Sequence, residues 1–207
     1  MTRGAMFSAH SRIRVSLCWS PFRMEKSLAS PTANRWVENN IRPYPQTKIG
    51  SLGVENQFLS NGRNDASKLV LAMNNIQQAL ESAGLDHIKV STPLAFHLSV
   101  SYPPSAEKFA DKHLSVVKGI LDFVLRKNSV FMMNIYPFFS YRLDSVNIEI
   151  NYALFNPNEP TINDSGREYR NLFDAQVDSV YAEMSRLGYA NMPLMITEVG
   201  WASEVAE

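Results

Sequence analysis

The sequence is poor in the features that most often give a chemistry away. Cys18 is its only cysteine, which excludes an internal disulfide and a cysteine-ligated metal site. Surplus charge is absent. Twenty basic residues balance twenty acidic ones, so nothing draws the chain electrostatically toward nucleic acid or an anionic membrane. No apolar run is long enough to span a bilayer. The first twenty residues carry Arg3, Arg12 and Arg14 but no apolar stretch of signal-peptide length, since Ile13 to Trp19 is short and broken by Arg14 and Ser16. His10, His87, His97 and His113 do not fall at HxxH or HExxH spacing. A glycine-rich phosphate loop and a G-x-S-x-G elbow are also missing.

What remains is an ordinary globular composition. The chain has 207 residues, 45% hydrophobic and 19% charged, enough for one domain with a real core. Short apolar runs alternate with helical patterns. Ile13 to Leu17 reads as a strand. Ser30–Pro31 reads as a helix start with Trp36, Val37 and Ile41 on its buried stripe, ended by Pro43 and Pro45. Lys48 to Val54 reads as a weaker strand. A helix opening at Asn64 or Asp65 carries Leu69, Val70, Met73, Ile76 and Leu80 and closes at Gly84. Ile88 to Thr92 is a short strand, and Glu107 to Arg126 a helix. Val130 to Tyr136 is apolar nearly throughout, as a strand covered on both faces should be. Residues 147–155 alternate and predict a half-exposed strand. The longest helix is expected near Gly166 to Leu187, and the last strand over Pro193 to Val199. Such alternation argues for parallel strands joined by right-handed crossovers; periodicity does not choose between a doubly wound sheet and a barrel.

In parallel α/β folds chemistry sits at the carboxyl ends of strands. Glu55 and Glu198 stand at two such ends. Two carboxylates brought together there suit glycoside hydrolysis, one attacking the anomeric carbon and one delivering a proton to the leaving oxygen. The competing reading is that each merely ends a strand and is solvated. Tyr136, Phe138, Phe139 and Tyr141 follow a strand end; their rings suit stacking on sugar faces and equally suit packing under a loop. Asn163-Asp164-Ser165 is a glycosylation sequon, which matters only in an exported chain.

Taken together, several segments resemble a known family. Thr197-Glu198-Val199-Gly200-Trp201-Ala202-Ser203 is similar to the nucleophile segment of glycoside hydrolase family 17, the plant endo-1,3-β-glucanases. Tyr169 to Tyr181 (YRNLFDAQVDSVY) resembles a helix typical of that family. NIYPFFSY at 134–141, KVSTP at 89–93, SYPPSAEKF at 101–109, NYALF at 151–155 and WVENNIRPYPQTKI at 36–49 also match, in family order. The resemblance implies a (β/α)8 TIM barrel with a β-1,3-glucan substrate and no cofactor or metal. Glu198 would be the nucleophile and Glu55 the acid/base. Tyr136, Phe139 and Trp201 would be substrate-binding, with Trp201 supporting the site rather than reacting. An extracellular or cell-wall location is implied, although no signal peptide is visible.

Two departures qualify the carry-over. The family places asparagine before its acid/base, whereas Val54 stands here, and Asn56 is not expected to take that asparagine's place. Losing about 3 kcal/mol of transition-state contact would slow turnover on the order of a hundredfold. Second, if Glu198 ends strand seven, the chain is a partial barrel of about strands 3 to 7, with strands 1, 2 and 8 missing. On that reading residues 1–12 are an atypical or disordered N-terminal segment and 13–207 a partial catalytic domain. The alternative function is an inactive truncated homologue that at most binds β-glucan.

Overall fold

Helix α1 spans Ser30–Asn40 and buries Ala33 and Val37, with Ile41 continuing the same stripe one turn on. It belongs to a computed structural model that describes residues 30–61, 66–96, 104–106, 108–156 and 162–202. The expected strand at Ile13–Leu17, the segment 1–12 and Cys18 lie outside the described residues.

The chain then alternates as its periodicity requires. Strand β1 is Ser51–Gly53 and helix α2 is Ala66–Ser82. Leu69, Met73, Ile76 and Leu80 of α2 are fully buried, and Gly84 ends the helix at φ +73, a conformation that glycine adopts without strain. Strands β2 (Lys89–Ser91) and β3 (Pro93–Ala95) are separated only by Thr92. Helix α3 (Asp111–Arg126) buries Val117, Ile120, Leu121, Phe123 and Val124, and leads to β4 (Phe131–Asn134), buried at every position. Strand β7 (Leu194–Glu198) closes the series.

All pairings among these strands are parallel: β1 with β2, β3 with β4, and β4 with β7. Because β2 and β3 are nearly continuous, the spatial order follows the sequence order without reversal, which a doubly wound sheet does not do. Helices α1, α2 and α3 pack against this sheet in one hydrophobic cluster, joined by Val180 and Met184. Strand β7 is half-exposed along its length, and among the described residues only β4 pairs with it.

The segment between β4 and β7 departs from expectation. Residues 147–155 do not form a strand; they contain a short helix, α5 (Ile150–Ala153), which follows α4 (Pro137–Leu143). Asp144 accepts bonds from the backbone and side chain of Asn147, turning the chain where an extended strand would have to begin. Only Tyr152 of the alternating set is buried, and Ile148 packs beside it one helical turn earlier. A hairpin follows, β5 (Ile162–Asp164) antiparallel to β6 (Arg167–Tyr169), so the longest predicted helix starts later than its pattern suggested. It is α6 (Leu172–Arg186), whose cap Asn171 accepts the Asp174 backbone N–H at 2.8 Å. Asn163 is exposed on this hairpin. Gln176 of α6 donates to Ser140 of α4 at 2.7 Å, tying α4 to the body of the fold.

Replacing the cap by Asn171→Ala should destabilise the fold by about 1 kcal/mol, the usual cost of an N-cap. The urea midpoint should fall accordingly, and an unchanged midpoint would mean that the cap contributes nothing.

Candidate active site

The site is assembled at the carboxyl ends of the parallel strands. Glu198 is the last residue of β7 and Asn134 the last of β4. The two strands are in register from Phe131 opposite Leu194 to Met133 opposite Ile196, and then slip so that Asn134 faces Glu198. Thr197 is the extra residue, and the slip acts as a β-bulge, a device that re-aims a side chain at a strand end.

Three donors converge on the Glu198 carboxylate. Asn134 Nδ2 and the Tyr136 hydroxyl each donate to Oε2 at 2.8 Å, and Asn56 Nδ2 donates to Oε1 at 3.1 Å. The amides also bond to each other: Asn134 Nδ2 donates to Asn56 Oδ1 at 2.9 Å, and Thr197 Oγ1 donates to Asn134 Oδ1 at 2.5 Å. A carboxylate can only accept, so it fixes the direction of every bond in this network. Together the three donors hold the carboxylate in one orientation.

Glu55 follows β1 and is half-buried, with φ +58, in the left-handed region that a non-glycine residue seldom enters. Its chain neighbour Asn56 bonds to Glu198 and Gln57 lines the cavity beside it, whereas Glu55 is not among the lining residues. Val54 is fully buried in the main core. Tyr136 therefore bonds to Glu198 directly, as does Asn56.

Beside this network lies a cavity of about 530 Å³ whose walls include Gln57, Phe96, Asn134, Tyr136, Phe139 and Arg142. Aromatic rings run along one side. Tyr136 and Phe139 meet edge-on at 5.4 Å, Phe138 lies 5.4 Å from Phe139, and Trp201 packs edge-on against Phe138 at 5.1 Å and tilted over Tyr141 at 5.8 Å. Phe139 is 51% exposed and Trp201 38%, values high for rings of this size. Trp201 backs the aromatic row and does not line the cavity. His87 and His113 do not line it either, while His10 and His97 lie outside the described residues.

Sequence reasoning missed Asn134 and Gln57 as site residues and discounted Asn56. Asn134 had a signal: it is the one amide in the apolar run Val130 to Tyr136, and it is buried to 1% exposure. A buried amide needs partners. Gln57 had no signal, because it follows a bend that residue pattern does not encode.

The glycosyl hydrolases family 17 profile matches residues 11–206. The chain belongs to glycosyl hydrolase family 17. A glucan endo-1,3-beta-glucosidase of Vitis vinifera is 40% identical over 186 residues, covering 86% of this chain and 54% of that protein. Lichenase-2 of Hordeum vulgare is 36% identical over 177 residues, covering 84% and 56%. In structure, the family 17 chain resembles CJP38, a β-1,3-glucanase and pollen allergen of Cryptomeria japonica, with a TM-score of 0.83 and 43% identity over 87% of this chain and 58% of that one. The chain thus spans about half the length of the curated relatives it matches.

Tyr136 yields a pH prediction. Burial, then its bond to the Glu198 carboxylate and the charge there, push its hydroxyl from 10.0 up to about 12. The folded chain holds this proton where the unfolded chain has lost it. That stabilisation is complete below pH 10.0 and is lost as pH rises through about 12. The urea midpoint of the unaltered protein should fall more steeply across this window than that of Tyr136→Phe. Parallel slopes would contradict the assignment.

Proposed function

We propose that this family 17 chain carries out retaining endo-hydrolysis of β-1,3-glucosidic bonds in β-1,3-glucans, with Glu198 as nucleophile and Glu55 as acid/base. The observation that carries the reading is the Glu198 carboxylate, held by three donors beside a cavity walled by aromatic rings. The relatives named as glucan endo-1,3-beta-glucosidases in Vitis vinifera and Nicotiana tabacum supply the substrate class. Callose and fungal wall glucan are polymers of this kind, and the place of action would be the cell wall or extracellular space. We read β1, β2 with β3, β4 and β7 as strands four to seven of a (β/α)8 barrel.

On this reading the two glutamates divide the chemistry between them. Oε2 of Glu198 already takes two bonds at 2.8 Å, whereas Oε1 takes one at 3.1 Å, so Oε1 keeps the freer lone pair and attacks the anomeric carbon. The bond from that carbon to the glycosidic oxygen breaks as Glu55 gives the oxygen its proton. A glycosyl ester forms on Glu198. Glu55, now a carboxylate, takes a proton from water, the water oxygen attacks the same carbon, and Glu198 leaves as carboxylate. Tyr136 and Phe139 offer apolar ring faces to the C–H side of the sugars, and Trp201 supports Phe138, which packs on Phe139.

Release of reducing ends from laminarin tests the reading, with lichenan run alongside because Lichenase-2 is also a relative. Turnover should be higher on laminarin. Glu198→Gln should lower it on the order of a thousandfold or more, as loss of a nucleophile does. Glu55→Gln should slow laminarin hydrolysis by about 10²- to 10⁴-fold but spare substrates whose leaving groups need no proton. Equal laminarin rates for the unaltered protein and Glu198→Gln would rule the reading out.

A further inference from the structure

We propose that Gln57 stands where a proton donor would meet the glycosidic oxygen, so that protonation of that oxygen limits this chain's turnover of glucan. The inference rests on the reading of Glu198 as nucleophile and concerns the other half of the reaction.

A general acid must lie within hydrogen-bond reach of the atom it protonates, directly or through one water. Among the described residues, the wall of the cavity beside Glu198 holds no carboxylic acid. Its protic groups are the amides of Gln57 and Asn134, the hydroxyls of Tyr136 and Ser140, and the Arg142 guanidinium. An amide offers its N–H as a hydrogen bond and keeps the proton, and so does a guanidinium. The Tyr136 hydroxyl is committed to Glu198 Oε2 at 2.8 Å; burial, and then that bond, push it up to about 12, far above the range of an acid catalyst at neutral pH. Ser140 carries an alcohol, which already accepts from Gln176 at 2.7 Å. Glu55 is half-buried and stands outside this wall, so its proton has to be carried in from beyond the residues that touch the sugar.

The backbone decides that Gln57, and not Glu55, faces the cavity. The Val54 N–H donates to the Ser91 carbonyl at 2.8 Å and the Gln57 N–H to the Pro93 carbonyl at 2.9 Å. These donors are three residues apart, where a regular parallel strand spaces them by two. The extra residue, with φ +58 at Glu55 and +49 at Gln57, turns the chain and re-aims its side chains. The neighbours of Gln57 are both committed. Asn56 donates to Glu198 Oε1 at 3.1 Å, and Phe58 is buried in the core. Gln57 and Glu55 therefore cannot exchange places without breaking one or the other. Gln57 shares its wall with Asn134 and Tyr136, two of the donors that hold Glu198. A glutamine there can hydrogen-bond the glycosidic oxygen through Nε2, but the departing oxygen must find its proton elsewhere.

The same amide gives no base for the second step, in which water attacks the glycosyl ester. Azide needs no base. Its nitrogen attacks the anomeric carbon, the ester C–O bond breaks, Glu198 leaves as carboxylate, and a β-glycosyl azide forms.

The test compares laminarin with 2,4-dinitrophenyl β-laminaribioside, whose leaving group departs without a proton. Gln57→Glu puts a carboxyl of the same shape on the wall. It should raise turnover of laminarin by about 10- to 100-fold relative to turnover of the dinitrophenyl glycoside. Sodium azide should speed turnover of the dinitrophenyl glycoside by the unaltered protein, with β-glycosyl azide as the product, and this arm requires no variant to fold. A folded Gln57→Glu protein that gains nothing on laminarin, or an unaltered protein indifferent to azide, would overturn the proposal even with the ester forming on Glu198. If the unaltered protein forms no ester on Glu198 from the dinitrophenyl glycoside, the nucleophile reading fails and takes this proposal with it.

Discussion

Everything in the site depends on keeping one carboxylate fixed by donors that the chain brings from separate strand ends. Glu198 sits on half-exposed β7, where water would otherwise let it swing. Asn134 and Tyr136 reach it from β4 and the turn that follows, and Asn56 from beyond β1. None of these can be moved alone. The Asn134 amide is shared among Asn56, Thr197 and Glu198, so a shift at any member disturbs the others. Such a network is valuable only when complete, because a half-satisfied buried amide costs more than an apolar side chain in its place.

The fold serves that arrangement by register. Parallel pairing of β4 with β7 sets Asn134 opposite Glu198, and the skipped residue at Thr197 turns the glutamate toward the amide. A comparable extra residue past β1 does the same for Asn56. The sheet itself is held from both faces, with Phe131 and Met133 of β4 fully buried in the cluster that includes α3 and Met132, between them, fully buried as well. Irregularity is confined to the last residues of the strands, where side chains must leave the sheet and meet. Helix α4 adds the aromatic wall, and Gln176 pins it from α6.

Much of this was legible in the residues. The helical stripes of α1, α2 and α3 and the buried run of β4 follow from periodicity, because a large shared core rewards each apolar position in turn. The same pattern placed β7 and β4, running one residue past the true end at Glu198 and two past the true end at Asn134. Residues 147–155 were misread because alternation over a short span also fits one helical turn when only Tyr152 and Ala153 are buried; the local Asp144–Asn147 bonds decided the outcome. The hairpin Ile162–Tyr169 carried no clear pattern, its outer positions being exposed and charged. Asn56 was illegible for a different reason. Its role depends on one extra residue in a ladder, and a residue string records order but not register.

The central claim, that Glu198 is an oriented nucleophile, is tested most directly by trapping. Incubation with an activated 2-deoxy-2-fluoro β-1,3-linked glucosyl fluoride, followed by peptide mass mapping, should show one glycosyl group esterified to Glu198. An adduct on any other carboxylate, or turnover of the fluoride with no adduct at Glu198, would contradict the account.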